Sequence, residues 1–246
     1  MFQDEAESPA FLARYRDVLP EDERLAADRF YFESGRRQAL ITRALVRAVL
    51  SRYCDVAPEA WRFVRDDRGR PHVAPEMRVA GVPEFNLSHT AGLIACAVTG
   101  ARAVGADVEH VHERRSSLDI AERYFAATEA NALAALPKAQ QMDRFFHYWT
   151  LKESYIKARG KGLAIPLQDF AFTFEGERAL SVRFEPALGD DAAQWAFWLC
   201  RPSVEHIAAV CVGAESGARP RLTMGRMVPL HSEQPFECEV LRASRR

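Results

Sequence analysis

The sequence predicts an α+β protein made of two similar halves, and three observations carry that expectation. Two long helical patterns stand far apart in the 246-residue chain, one over 36–52 and one over about 142–159. Each is accompanied by several short strand patterns rather than by further long helices. Two of those strands echo one another, "LIACAVTG" at 93–100 and "IAAVCVGA" at 207–214, an internal repeat that fits halves of about 110 residues. The expected division is therefore 1–110, then 111–230, with 231–246 as a flexible tail.

Taken in order, 20–29 reads as a short helix with an acidic start. In "RRQALITRALVRAVLSR", 36–52, Leu40, Ile41, Ala44, Leu45, Ala48 and Val49 recur at helical spacing, with Arg36, Arg43 and Arg47 on another face. A short strand is expected over 61–64, followed by the Gly- and Pro-punctuated turn "RDDRGRP". Strands follow at 84–88, 93–99 and 103–109, then a helical pattern at 118–125. Thr128 reads as the N-cap of a helix ending near Leu136, where Pro137 marks the exit. The second long helix ends at Gly160, and strands are expected at 170–174, 179–184, 194–199 and 206–212.

Hydrophobic residues make up 48% and charged residues 27% of the chain, enough to bury a core. The formal net charge of −1 gives no global field toward nucleic acid or an anionic membrane, so any anion must be held by a local cluster. The first ten residues, "MFQDEAESPA", lack a secretory signal pattern, and no apolar stretch approaches the roughly 20 residues of a bilayer span. Cys54, Cys96, Cys200, Cys211 and Cys238 form no C-x-x-C pair, and Cys96, Cys200 and Cys211, set in apolar strand-like runs, read as buried reduced thiols. A cytoplasmic monomer that binds neither nucleic acid nor membrane is expected.

Three clusters could carry chemistry. In "VGADVEHV", 104–111, strand alternation places Asp107 and Glu109 on one face, about 6.5–7 Å apart, which suits a hard divalent cation. Gly105 admits close approach of another backbone. A solvated strand face would look the same. In the second long helix, Trp149, Glu153 and Lys157 form an i, i+4, i+8 stripe; a Glu–Lys pair at that spacing is also an ordinary helix-stabilising device. Should Glu153 face Asp107 and Glu109, the three acids would repel one another without a cation between them. "FNLSHT", 85–90, offers a hydroxyl, an imidazole and backbone N–H groups as a phosphate grip, and the nearby arginines add forks matched to phosphate oxygens. An ordinary strand-to-turn junction and a solvated basic face are the competing explanations. His110 and His112 find no further ligands for zinc, and Gly160-Lys161-Gly162 is not a P-loop.

In order and content these segments resemble the Sfp-type 4′-phosphopantetheinyl transferases. That family carries a strand (V/I)-G-(I/V)-D-x-E and a helix W-(S/T/A)-x-K-E-(S/A)-x-x-K, seen here as "VGADVE" at 104–109 and "WTLKESYIK" at 149–157. "RFYF" at 29–32, the turn Gly69-Arg70-Pro71, "FNLSH" at 85–89, "RYFAATE" at 123–129 and "GKGLAIPL" at 160–167 extend the likeness, with Ala106 departing from the usual Ile or Val. The resemblance implies two α/β halves related by a pseudo-two-fold, with the active site in the cleft between them. It implies transfer of 4′-phosphopantetheine from coenzyme A to a serine of an apo acyl or peptidyl carrier protein, releasing 3′,5′-ADP. By the same likeness Asp107, Glu109 and Glu153 match ligands of Mg²⁺, which Mn²⁺ could replace. Glu153 and Lys157 match the catalytic pair, and Lys157 also meets the pyrophosphate. Arg70, Asn86, Ser88 and His89 match coenzyme A contacts, with Arg24 and Arg37 near further basic contacts. Arg114, Arg115 and Arg123 are the expected carrier-facing patch. A Mg²⁺-dependent hydrolase of coenzyme A-like substrates and a non-catalytic coenzyme A binder are the alternatives.

Overall fold

A computed structural model describes residues 1–78, 81–112, 117–214 and 220–244. The chain forms α1 (Pro9–Asp17), α2 (Glu21–Asp28), α3 (Glu33–Leu50), β1 (Phe63–Arg65), β2 (Pro71–Val73), β3 (Glu84–Thr90), β4 (Leu93–Thr99) and β5 (Val104–His110). It continues with α4 (Ser117–Tyr124), α5 (Ala127–Ala134), α6 (Lys138–Arg159), β6 (Phe170–Glu175), β7 (Ala179–Phe184), β8 (Trp195–Ser203) and β9 (His206–Gly213). Three strands close it: β10 (Gly225–Val228), β11 (Ser232–Pro235) and β12 (Glu239–Ser244). The architecture is α+β, with helices beside antiparallel and mixed sheets. No helix among the described residues is long and apolar enough to cross a membrane.

Contacts divide the chain into two units. The first comprises Met1–Ser88, Gly92–Ala101 and Met224–Glu237; the second comprises His89–Ala91, Arg102–Thr223 and Cys238–Arg246. The strand β5, placed by sequence at the end of the first half, thus belongs to the second unit, because all seven of its residues pair with β9. Each unit holds one long helix, but the sheets differ in size: two-stranded pairs in the first, six strands in the second.

In the first unit, Ile41, Ala44 and Leu45 of α3 pack on Tyr15 and Ile94, while Val46 and Leu50 pack on Trp61, Val73 and Phe85. The expected strand at 61–64 starts later, at Phe63, because Pro58–Ala60 forms a 3-10 turn that Trp61, a buried core residue, closes. Arg47 is a correction to the solvated basic face. It is fully buried, donates to Glu23 at 2.9 Å, and sets its guanidinium 4.9 Å from the Phe63 ring. The helix α1 was not expected from the sequence; Ser8 caps it, its Oγ accepting from Phe11 N at 3.2 Å, with proline at the first helical position.

The second unit is a sheet ordered β5-β9-β8-β12-β7-β6, against which α6 packs on β5 and β9. Its core gathers Phe145, Leu151, Tyr155, Phe172, Phe197 and Ile207. The helix α6 begins four residues before the expected start and ends at Gly160, whose φ of 62° is the left-handed cap that glycine adopts without strain. The tail expected to be flexible supplies β11 and β12; β12 runs antiparallel to β8 and parallel to β7, joining the two parts of the sheet. Gly105 sits where β5 crosses α6. A Cβ there would lie far inside contact distance of the Ser154 carbonyl oxygen and the Ala158 nitrogen.

One buried ion pair ties this unit together. Lys152 and Glu129 are both shielded from solvent, 0% and 1% exposed. Lys152 Nζ donates to Glu129 Oε2 at 2.7 Å and to the carbonyls of Leu167 (2.7 Å) and Phe170 (2.6 Å). Three acceptors match the three donors of an ammonium, whereas a neutral amine has only two. Glu129 in turn accepts from Phe172 N at 2.9 Å and Ala126 N at 3.2 Å, so it meets only donors and is satisfied as a carboxylate. Thr128, the expected N-cap, lies inside the first turn; the cap residue is Ala126, whose N–H is satisfied by Glu129.

Removing one partner leaves a buried charge. Lys152→Met or Glu129→Gln is expected to lower unfolding free energy by about 3–5 kcal/mol in denaturant titration. The double variant Lys152→Met, Glu129→Leu is expected to recover much of the loss of its two single variants, whereas simple additivity of Lys152→Met and Glu129→Leu would show that the pair is not coupled.

Candidate active site

The close crossing at Gly105 brings an alternating strand against one stripe of a helix. Asp107 and Glu109 lie two and four residues beyond Gly105 on the same strand face, and Trp149, Glu153 and Lys157 form the facing stripe of α6. Lys157 Nζ donates to Asp107 Oδ1 at 2.6 Å, and Trp149 Nε1 donates to Glu109 Oε1 at 2.9 Å. Glu153 stands between these two contacts on the helix. Asp107 is 4% exposed, so its charge is held in a poorly solvated position.

The electrostatics follow from that placement. The Glu153 carboxyl is pushed up to about 7, chiefly by burial and next by the Asp107 charge, with Lys157 opposing the shift and Glu109 adding a smaller push. His89, at the end of β3, is held below the ordinary imidazole range by burial and by the Lys157 charge. A carboxyl that titrates near neutrality beside an ammonium is equipped to accept a proton.

The acids repel one another, yet no group of three or more His, Cys, Asp or Glu among the described residues stands in metal-ligating arrangement. The two facts are compatible because Lys157 takes an oxygen of Asp107 and Trp149 takes one of Glu109. As to chemistry, the donors are carboxylate oxygens whose mutual repulsion a hard divalent cation would relieve. The residues present therefore fit Mg²⁺ by donor type. His110 and His112 are engaged locally, His112 Nδ1 lying 2.7 Å from the His110 carbonyl oxygen.

Five expected coenzyme A contacts lie in the first unit. Arg70 is held by a turn built on Asp66: the Arg68 and Arg70 backbone N–H groups both donate to Asp66 Oδ1 at 2.9 Å, and Arg70 Nη2 donates to the Phe85 carbonyl at 3.0 Å. Asn86 and Ser88 are buried on β3, at 5% and 6% exposure. Arg37 pairs with Glu33 at 2.8 Å and lies 3.6 Å from Glu7, and Arg24 is half-buried on α2. Of the expected carrier-facing patch, Arg114 and Arg115 lie outside the described residues, and Arg123 is exposed on α4 beside Tyr124. Sequence reasoning missed the Trp149 N–H as an orienting donor. It also missed Lys152 and Glu129 as the buried pair behind the stripe, although both stand in the motif segments.

A family model described as "4′-phosphopantetheinyl transferase superfamily" matches residues 103–211, and one described as "4′-phosphopantetheinyl transferase, N-terminal" matches 7–100. The chain is 36% identical to the 4′-phosphopantetheinyl transferase HetI of Nostoc sp., over 83% of this chain and 82% of that protein. It is 33% identical to the 4′-phosphopantetheinyl transferase Sfp of Bacillus subtilis, over 69% of this chain and 72% of that protein. These likenesses span both units, and the chain belongs to the 4′-phosphopantetheinyl transferase superfamily, a family of enzymes.

Proposed function

We propose that the chain, as a cytoplasmic monomer, transfers 4′-phosphopantetheine from coenzyme A to a serine of an apo acyl or peptidyl carrier protein and releases 3′,5′-ADP. The observation that carries this reading is the α6 stripe set against β5, with Lys157 on Asp107 at 2.6 Å, Trp149 on Glu109 at 2.9 Å and Glu153 between them. The serine hydroxyl attacks the β-phosphorus, its proton passes to Glu153, and the bond to the α-phosphate oxygen breaks. Lys157 Nζ turns from Asp107 to the pyrophosphate and neutralises charge that grows on the leaving 3′,5′-ADP. Asp107, Glu109 and Glu153 would hold Mg²⁺, which supplies further charge neutralisation at the pyrophosphate. Trp149 keeps Glu109 turned toward the site through its indole N–H. His89, Ser88, Asn86 and Arg70, with Arg24 and Arg37 further out, are assigned to the coenzyme A phosphates by family likeness.

The test is mass spectrometry of apo-carrier proteins incubated with coenzyme A, Mg²⁺ and the purified chain. A gain of one phosphopantetheine group is expected on a carrier serine. Release of 3′,5′-ADP without any carrier would instead identify a hydrolase. Excess EDTA is expected to abolish transfer and Mn²⁺ to restore it, because both cations prefer oxygen ligands; full transfer in EDTA would remove the metal from the account.

Glu153→Gln keeps the shape of the side chain but loses the basic oxygen. Turnover is expected to fall at least about 100-fold. Calorimetric affinity for coenzyme A should stay within a few-fold, since the assigned phosphate contacts remain. A variant that transfers at the wild-type rate would return Glu153 to a helix-stabilising role.

A further inference from the structure

Cys200 and Cys238 meet in the second unit, on strands not adjacent to β5. Cys200 on β8 is 1% exposed, and Cys238, one residue before β12, is half-buried; both are free thiols. In the β8–β12 register Val240 opposes Cys200 and Glu239 opposes Arg201. Side chains alternate along a strand, so Cys238 shares a face with Val240 and hence with Cys200, as its diagonal neighbour. The Cys238 thiol donates to the Glu239 carbonyl oxygen at 3.8 Å, and the Cys200 thiol and the Arg201 backbone N–H both favour charge on its sulfur.

We propose that Cys200 and Cys238 are an oxidisable dithiol that a hydroperoxide closes to a disulfide, fastening β12 to β8. The arrangement assigns unequal roles. The Cys200 thiol and the Arg201 N–H hold the more accessible Cys238 thiol below the ordinary range, whereas Cys238 and burial push Cys200 up. Cys238 is then the attacking thiolate. Its sulfur takes the distal peroxide oxygen as the O–O bond breaks, and the departing oxygen takes up the proton that Cys238 lost, giving a sulfenic acid and an alcohol, or water when the oxidant is hydrogen peroxide. Cys200 Sγ attacks that sulfur, its proton leaves with the sulfenic oxygen as water, and the disulfide forms. Two thiols are oxidised and one hydroperoxide is reduced.

The position gives the bond a consequence. The strand β12 is the one that joins β8 to β7, so its residues connect β5-β9-β8 with β7-β6. A bridge at its first turn of chain restrains the segment from 200 to 238 in the unfolded state and holds the joining strand in place in the folded one.

The experiment treats the reduced full-length protein with a small molar excess of hydrogen peroxide and maps its peptides without reduction. A linked Cys200–Cys238 peptide is expected, with a rise in melting temperature of roughly 5–10 °C that dithiothreitol reverses. Cys238→Ser is expected to lose both signals, whereas Cys54→Ser, removing a partly exposed thiol outside this sheet, keeps them. The proposal is overturned if Cys238 stays reduced, if it proceeds to sulfinic acid with no linked peptide, or if the linked protein melts where the reduced protein does.

Discussion

The site depends on how closely two backbones approach at Gly105. The strand β5 and the helix α6 meet there at a distance that excludes even a methyl group, between the Ser154 carbonyl and the Ala158 nitrogen. With the crossing set so tightly, the residues that follow on the strand have no freedom to stand away from the helix. Asp107 comes to Lys157 and Glu109 to Trp149, and Glu153 is left among their charges. A larger residue at the crossing would open a gap wide enough for water to screen these charges, and the pressure on Glu153 would fall with it.

The same helix needs a second anchor to stay at that distance, and the neighbouring residue supplies it. Successive helical residues point about 100° apart, so Lys152 enters the core while Glu153 faces the acids. Lys152 reaches Glu129 of α5, the Leu167 carbonyl in the turn before β6 and the Phe170 carbonyl at the first residue of β6, so one ammonium ties α6 to a helix and to the entry of a strand. Two adjacent charged residues in one motif thus face different sides of α6: one is satisfied in the interior, and the other is left among like charges at the site. A buried pair of this kind gains little net stability over apolar packing, but it is costly to leave half-made, which makes it a strict constraint on position.

Much of the site was legible because its determinants are local. Period two in "GADVE" places the two acids on a face, period 3.6 places the stripe of α6, and a lone glycine beside apolar residues signals close backbone approach. The family likeness then joined strand to helix, which spacing alone could not do. What stayed hidden was long-range or disguised by charge. A lysine in a helix reads as surface, and nothing near Lys152 in sequence names Glu129, 23 positions earlier. Arg47 was concealed in the same way by its distance from Glu23. The strand β12 was missed because "EVLRAS" is short and mixed in polarity; it is defined by the gap between β7 and β8 that it fills. Helix ends shifted by a few residues where a side chain such as Glu129 replaced the expected cap.

The central claim is that the backbone crossing at Gly105 creates the charged site. The most direct test is Gly105→Ala, measured for thermal stability and for transfer of phosphopantetheine to an apo-carrier. The added methyl must displace β5 from α6. The melting temperature is therefore expected to fall, and the folded fraction at low temperature is expected to transfer at least about 100-fold more slowly, the scale on which a misplacement of about 1 Å acts. An alanine variant with wild-type melting and wild-type transfer would contradict the account.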